Sequence, residues 1–327
     1  MMRLPKFVYH APTSVDEAGR ILAGEGTAAR VVAGGTDLYP NMKRGHQLPP
    51  VLVSLRRIPK ITGISGTPET GLRIGACTSL TQLGSHPAVK SGYAALASAV
   101  LSISTPILRN MGTIGGNLCL DTRCNYYNQN YEWRRAIHFC MKCDGSICWV
   151  APSSKTCLAI NSSDTAPLLA ALGGRARLIS TRGERELAIK DLYNLDGIDY
   201  LNKRPDEILT EILLPPAGGW IASYRKLRRR GSFDFPVLGV AAVLWKEPDG
   251  RIRDAKIYLN AVASAPLEAK EAETCLVGRK LDTETIREAA RLAAEMAKPV
   301  DNADFGIAWR KRMARVFTER ALNDLKE

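Results

Sequence analysis

Six of the eight cysteines of this 327-residue chain fall between Cys119 and Cys157, the other two being Cys77 and Cys275. Core packing asks for no such density. The opening MMRLPKFVYHAPTS lacks the apolar core and small-residue cleavage site of an export signal, so a disulfide framework is not expected and metal ligation leads. The spacing Cys124-x15-Cys140-x2-Cys143-x4-Cys148-x8-Cys157 matches neither the bacterial nor the plant-type ferredoxin run. Cys140-x2-Cys143 is finger-like, but no second pair at matching spacing follows. Soft thiolates suit iron–sulfur clusters and zinc alike, and spacing alone leaves the metal open. The same stretch has no sustained apolar period. Irregular loops beyond ~15 residues are uncommon unless functional or internally tied, so it reads as a long insertion held together by its cysteines.

The rest of the chain has ordinary globular composition, with 45% hydrophobic and 24% charged residues, and its length suggests about two domains. Apolar runs such as Val237–Trp245 are too short to cross a bilayer. The first segment reads strand–helix–strand, with Ser14-Val-Asp-Glu17 patterned as a capping box and Ala18, Ile21 and Leu22 on one apolar face. Further strands are predicted at Val51–Leu55, Leu72–Ala76 and Ala176–Ser180. A helix is predicted to start at Thr78–Gln82, and others to cover Ala94–Ile103 and Ala166–Leu172. Leu213-Leu-Pro-Pro-Ala-Gly-Gly219 reads as a domain boundary. Beyond it, strands at Trp220–Lys226, Val237–Trp245 and Ala255–Ala261 precede helices at Glu284–Ala297 and Phe305–Leu325, the pattern of an α+β unit.

Two glycine loops carry the remaining chemistry. Ala33-Gly34-Gly35-Thr36-Asp37 follows a short apolar strand, and glycines there let backbone amides approach an anion such as a pyrophosphate. It lacks the G-x-G-x-x-G spacing of a Rossmann fingerprint. Thr113-Ile-Gly115-Gly116-Asn117, with Asp121 beyond, is a second loop of the same character. Each alone is equally a tight turn; together they suit the two ends of one extended dinucleotide. No Ser/His/Asp set, H-E-x-x-H or Walker motif is present, so no catalytic residue is nominated. Of the four histidines only His138 lies near the cysteines, and it is not expected to be a ligand. The net charge of +12 is spread over Arg56-Arg57, Arg134-Arg135, Arg228–Arg230 and Trp309–Arg320, which are expected to be solvated or partner-facing. Asp16-Glu17 and Asp206-Glu207 are expected to be exposed charges. A zinc-stabilised nucleic-acid binder is a distant alternative, since aromatics are only 6% and are not interleaved with basic residues.

The ordered set Phe7-x-Tyr9-x-x-Pro12, Ala33–Leu38, Arg109-Asn-x-Gly-Thr-Ile-Gly-Gly-Asn117, Ser163-Asp-Thr-Ala-Pro167, Lys226–Pro236 and Trp309–Val316 resembles the FAD-binding medium (beta) subunit of the xanthine oxidase family of molybdenum hydroxylases. The resemblance covers essentially the whole chain. Most such subunits pass from the second glycine loop to the Ser-Asp-x-Ala-Pro segment without cysteines. The insertion here, with the stretch Asn117–Asn128 that opens it, resembles the 4-hydroxybenzoyl-CoA reductase branch, whose flavin subunit carries an additional [4Fe–4S] cluster.

That resemblance implies an α+β fold: a PCMH-type two-lobed FAD-binding domain over 1–217, with an iron–sulfur loop insertion at 119–158. A CO-dehydrogenase-flavoprotein-like C-terminal α+β domain over 218–327 follows. It implies FAD held by Val31, Val32, Ala33, Gly34, Gly35, Thr36, Asp37 and Leu38 on the pyrophosphate side. Thr105, Thr113, Gly116, Asn117 and Asp121 are implied opposite, with Asp164 and Lys226 near the ribityl chain or ring. The implied cluster ligands are Cys124, Cys140, Cys148 and Cys157, with Cys143 the spare and Cys119 packed in the flavin loop. It further implies a cytoplasmic electron-transfer subunit, free of nucleic acid and membrane. Its partners would be a large molybdopterin-containing subunit, a small [2Fe–2S] subunit and a ferredoxin donor, in a dimer of heterotrimers. Arg134 and Arg135 are the expected ferredoxin-docking residues. The alternative keeps fold and cofactors but places xanthine, N-heterocycle or aldehyde oxidation on the partner.

Overall fold

The computed structural model describes residues 3–326, and three sheets organise it. Strands β1 (Val8–His10), β2 (Ala29–Val32) and β3 (Val51–Ser54) form a parallel sheet with β3 in the middle. Helix Val15–Glu25 crosses from β1 to β2 and buries Ala18 and Leu22 against Val51, Val53 and Leu55. Ser14 Oγ accepts from the Glu17 amide at 3.1 Å, as its pattern predicts. The Glu17 carboxylate, however, accepts from the Thr13 amide at 2.9 Å rather than from Ser14, so the box closes one residue early.

A five-stranded antiparallel sheet follows, built from β4 (Ile64–Thr67), β5 (Gly71–Gly75), β6 (Arg175–Ser180), β7 (Gly183–Ala188) and β8 (Ile208–Leu214) in the order β4-β5-β8-β6-β7. Helices Leu80–Ser85 and Ala94–Leu101 pack Leu83, Leu96 and Val100 onto Leu72, Ile74 and Ile212. The first of these helices has the full capping box: Ser79 Oγ accepts from the Gln82 amide at 3.2 Å, and Gln82 Oε1 accepts from the Ser79 amide at 3.1 Å.

After Pro215-Pro216 comes an antiparallel sheet of β9 (Trp220–Leu227), β10 (Leu238–Lys246), β11 (Ile252–Asn260) and β12 (Leu267–Glu268), in the order β12-β11-β10-β9. Its near-continuous apolar centre has a simple cause. Ala241 and Val243 of β10 face the core of the five-stranded sheet, while Val240, Ala242 and Leu244 face helices Thr283–Met296 and Ile307–Asn323. A strand covered on both faces has no reason to alternate.

The cysteine-bearing segment stays irregular, as its sequence predicts, apart from the helix Tyr131–Ala136. Its two ends meet: Arg123 and Ile160 exchange both backbone hydrogen bonds, at 2.9 and 2.8 Å. Among the described residues no helix is long and apolar enough to cross a membrane.

Three charges expected at the surface are buried instead. Arg134 is 1% exposed, with its guanidinium donating to Gly45 O at 3.3 Å and Cys143 Sγ at 3.0 Å, so it offers no docking surface; Arg135 remains exposed. Arg310 donates to Val300 O, Ala261 O and Asn302 Oδ1 from an equally buried position. Glu207 is gripped by Arg185 at 2.7 and 2.9 Å and by the Arg204 amide at 2.7 Å. A charge is tolerated inside when donors or acceptors surround it, and each of these three has at least one partner more than twenty residues away in the chain: Gly45 for Arg134, Ala261 for Arg310 and Arg185 for Glu207.

Candidate functional site

The first glycine loop leaves the carboxyl end of β2 and meets the second loop directly. A Cβ at Gly34 would stand 1.9 Å from Met111 O, and one at Gly35 (φ +71°) would stand 2.2 Å from the Tyr39 ring. Glycine is therefore required for loop-to-loop contact at the first position and for a left-handed turn at the second. In the second loop Thr113 Oγ1 accepts from the Gly116 amide at 3.1 Å and caps helix Ile114–Leu118. Asn117 Oδ1 accepts from Ser163 Oγ at 2.9 Å and from the Thr165 amide and hydroxyl at 3.2 and 2.7 Å. This asparagine thus fastens the Ser163–Pro167 segment to the loop.

Between the loops lies a cavity of about 680 Å³. All of Val31–Leu38 line it, with Thr113, Gly116, Asn117, Asp121 and Asp164. Thr105 and Lys226 stand back from the wall. Thr105 Oγ1 caps Pro106–Arg109, accepting from the Leu108 amide at 3.3 Å. Lys226 Nζ donates to Asp164 Oδ2 at 2.9 Å and to Ser102 O at 3.3 Å, with both partners of the ion pair buried. Tyr224 OH donates to the other Asp164 oxygen at 2.8 Å. Burial pushes the Asp164 carboxyl up, against the pull of Lys226.

Several wall residues carry no signal in the sequence. Arg123 NH1 reaches Asp37 Oδ1 at 3.3 Å, and the guanidinium carbon Cζ lies 3.8 Å from the centre of the Phe235 ring. Burial raises the Asp37 carboxyl, and the Arg123 charge opposes the rise. Arg30, Arg44, Lys203 and Arg230 add further cations to the wall. Glycine-rich backbone, threonine hydroxyls and several cations around one elongated space fit the diphosphate of a dinucleotide.

Beside this cavity lies a group of buried thiols. Cys124, Cys140, Cys148 and Cys157 are buried, whereas Cys143 is half-buried, and none forms a disulfide. Cys124, Cys140 and Cys157 share an apolar cluster with Tyr127 and Ala159. Burial pushes the Cys124 thiol up to about 12 and that of Cys157 up to about 11. Cys143 accepts from Arg134 and donates to Asp144 Oδ2 at 3.3 Å. Among the described residues no three His, Cys, Asp or Glu side chains gather closely enough to hold a single metal ion. Cys124 also lines the inter-loop cavity. Cys119, which the resemblance puts at the end of the second glycine loop, lines that cavity too and packs against the main core.

Comparison with known proteins supports a flavin nucleotide in the inter-loop cavity. Residues 5–217 match the FAD binding domain in molybdopterin dehydrogenase, and residues 222–325 match the CO dehydrogenase flavoprotein C-terminal domain. The chain is 32% identical over 278 residues to the aldehyde oxidoreductase FAD-binding subunit PaoB of Escherichia coli K12, covering 82% of this chain and 85% of the relative. It is 30% identical to the carbon monoxide dehydrogenase medium chain of Afipia carboxidovorans, over 98% of this chain and 96% of the relative. A solved carbon monoxide dehydrogenase from Hydrogenophaga pseudoflava superposes with a TM-score of 0.82 at 28% identity, covering 98% of both chains.

Proposed function

Because the chain belongs to the family of FAD-binding subunits of molybdenum hydroxylases, we propose that it is an electron-transfer subunit carrying two redox groups, FAD between the glycine loops and a [4Fe–4S] cluster among the adjoining buried cysteines. Flavin supplies one- and two-electron exchange, and an iron–sulfur cluster supplies one-electron exchange tuned by charge, hydrogen bonding and exposure. The chain's own residues bind and orient. The amides and hydroxyl of Val31–Leu38 would receive the diphosphate, and Thr113, Gly116, Asn117 and Asp121 would meet the opposite side of FAD. Asp164, fixed by Lys226 and Tyr224, presents a polar edge to the cavity, and Phe235 on Arg123 shields one stretch of the wall. Thr105 contributes through the helix it caps, and Lys226 through Asp164.

Cys124, Cys140, Cys148 and Cys157 are proposed as the cluster ligands, with Cys143 outside the set. Four buried thiols meet the fourfold thiolate demand of a cubane, and the fifth is already engaged by Arg134. The single observation that carries the two-group reading is that Cys124 lines the inter-loop cavity and also packs in the buried cluster with Cys140 and Cys157. The division is proposed at 217/218, with the insertion at 119–158.

The substrate reading follows the insertion. The proposed assembly resembles 4-hydroxybenzoyl-CoA reductase, in the cytoplasm: a large molybdopterin subunit, a small [2Fe–2S] subunit and a ferredoxin donor, as a dimer of heterotrimers. Reductive loss of the para hydroxyl, giving benzoyl-CoA and water, takes place on the large partner. The second reading, an aldehyde-oxidising complex, is favoured by the 32% identity to the PaoB subunit. Oxygen-free purification of this chain alone, with iron and flavin analysis, tests the two-group reading: a chain that carries flavin but no iron, and that still supports full activity when assembled with its partners, overturns it. Turnover of 4-hydroxybenzoyl-CoA with a strong reductant, against aldehyde oxidation with an acceptor, decides between the substrates.

A further inference from the structure

Lys142 lies in the middle of the cysteine insertion, yet its ammonium group reaches back to the start of the insertion, beside the second glycine loop, and on to Gly197. Nζ donates to Asp121 Oδ1 at 2.8 Å, to Thr122 Oγ1 at 2.8 Å and to Gly197 O at 2.6 Å, which uses all three of its protons. The side chain is 7% exposed. It sits 5.0 Å from the centre of the Tyr127 ring and 5.4 Å from that of Tyr200, a residue of the cavity wall. Asp121 is likewise part of that wall, and its second oxygen accepts from Gln47 Nε2 at 2.7 Å and from Tyr127 OH at 3.2 Å. Gln47 lines the cavity as well. One carboxylate is thereby clamped from two sides: by the insertion through Lys142 and Tyr127, and by the scaffold through Gln47.

We propose that Lys142 is a positioning residue that fixes Asp121 in the cavity wall, so that the folded cysteine insertion sets how tightly the chain holds FAD. Without the ammonium group, the half-buried Asp121 carboxylate is left with only two neutral donors, Gln47 and Tyr127. It then turns toward whatever cation is near, and Arg123, already committed to Asp37, is the nearest guanidinium of the cavity wall in sequence. The wall would reorganise on the side where the second glycine loop ends. The inference rests on FAD occupying the inter-loop cavity, and it does not require the thiols to hold iron.

The experiment is flavin titration of the full-length apo-chain, followed by fluorescence, alongside iron analysis of anaerobic preparations. Lys142→Met is expected to bind FAD about tenfold more weakly, the equivalent of one charge-assisted hydrogen bond. Lys142→Arg keeps a cation at the position and is expected to recover most of the loss. Asp121→Asn should weaken binding similarly, and the Lys142→Met/Asp121→Asn pair should be no weaker than the worse single variant, because the two act as a unit. FAD affinity within twofold of the parent in Lys142→Met overturns the proposal, as does strict additivity in the pair. Should Lys142→Met not fold, unchanged affinity in Asp121→Asn overturns it alone. A parent chain that takes up no FAD at all refutes the flavin assignment instead, a distinguishable result.

Discussion

Glu207 illustrates how a single carboxylate becomes structural. Burial alone would raise it, but the Arg185 fork and the Arg204 amide outweigh burial and hold it at about 2, against an ordinary value of 4.5. A depressed value means stability that is present above pH 4.5 and is lost as the pH falls from there toward 2. Glu207→Gln is therefore expected to cost about 2 kcal/mol at neutral pH, with the gap to the parent closing in urea titrations below pH 4.5. An undiminished gap at pH 3 would contradict this origin. The cysteines make a second prediction at this scale. Cys143→Ser should retain the full iron content of the parent and Cys148→Ser should lose most of it, as measured by metal analysis; the opposite pattern reverses the ligand assignment. Sequence spacing left the metal open, whereas burial separates one half-exposed thiol from four hidden ones. Arg134, Arg310 and Glu207 were illegible as buried groups because their partners lie in segments that only the tertiary fold brings near, such as Gly45 for Arg134.

At the level of elements, local rules were the most readable. Ser14 and Ser79 cap the helices that their patterns announce, and the helix Thr283–Met296 falls within a residue of the predicted Glu284–Ala297. What the pattern did not disclose is that the two glycine loops touch. Their glycines read as anion-binding turns, but Gly34 is there because Met111 O occupies the place of its Cβ. Gly34→Ala should drive the loops apart, lowering the melting temperature by several degrees and releasing most of the FAD, as read from the flavin content after gel filtration. A variant that keeps its flavin would show the loops to be independent. Lys142 escaped notice for a different reason: a lysine among cysteines looks like a solvated charge until the fold carries its head group to Asp121.

Across the whole molecule, the buried Lys226–Asp164 pair joins β9 to the Ser163–Pro167 segment, and so the C-terminal sheet to the cavity wall. Lys226→Met removes the cation paired with the buried Asp164 carboxyl, and a cost of about 3 kcal/mol is expected in equilibrium unfolding. Adding Asp164→Asn should restore part of that loss, and a double variant as unstable as the sum would show the pair to be uncoupled. Asn302 makes a parallel tie, donating to Leu158 O while accepting from Arg310. The sequence announced two α+β units, but not that they would share polar fasteners around the cofactor space.

Since Arg123 and Ile160 stand side by side, everything between them is a detour that departs and returns at one doorway. A genome can gain or discard such a cassette with a splice of a residue or two, leaving every strand of the host in register. The host would close over the gap and keep its shape. What it would forfeit are two of the three hands on Asp121, which makes the cassette removable from the architecture but not from the behaviour of the flavin.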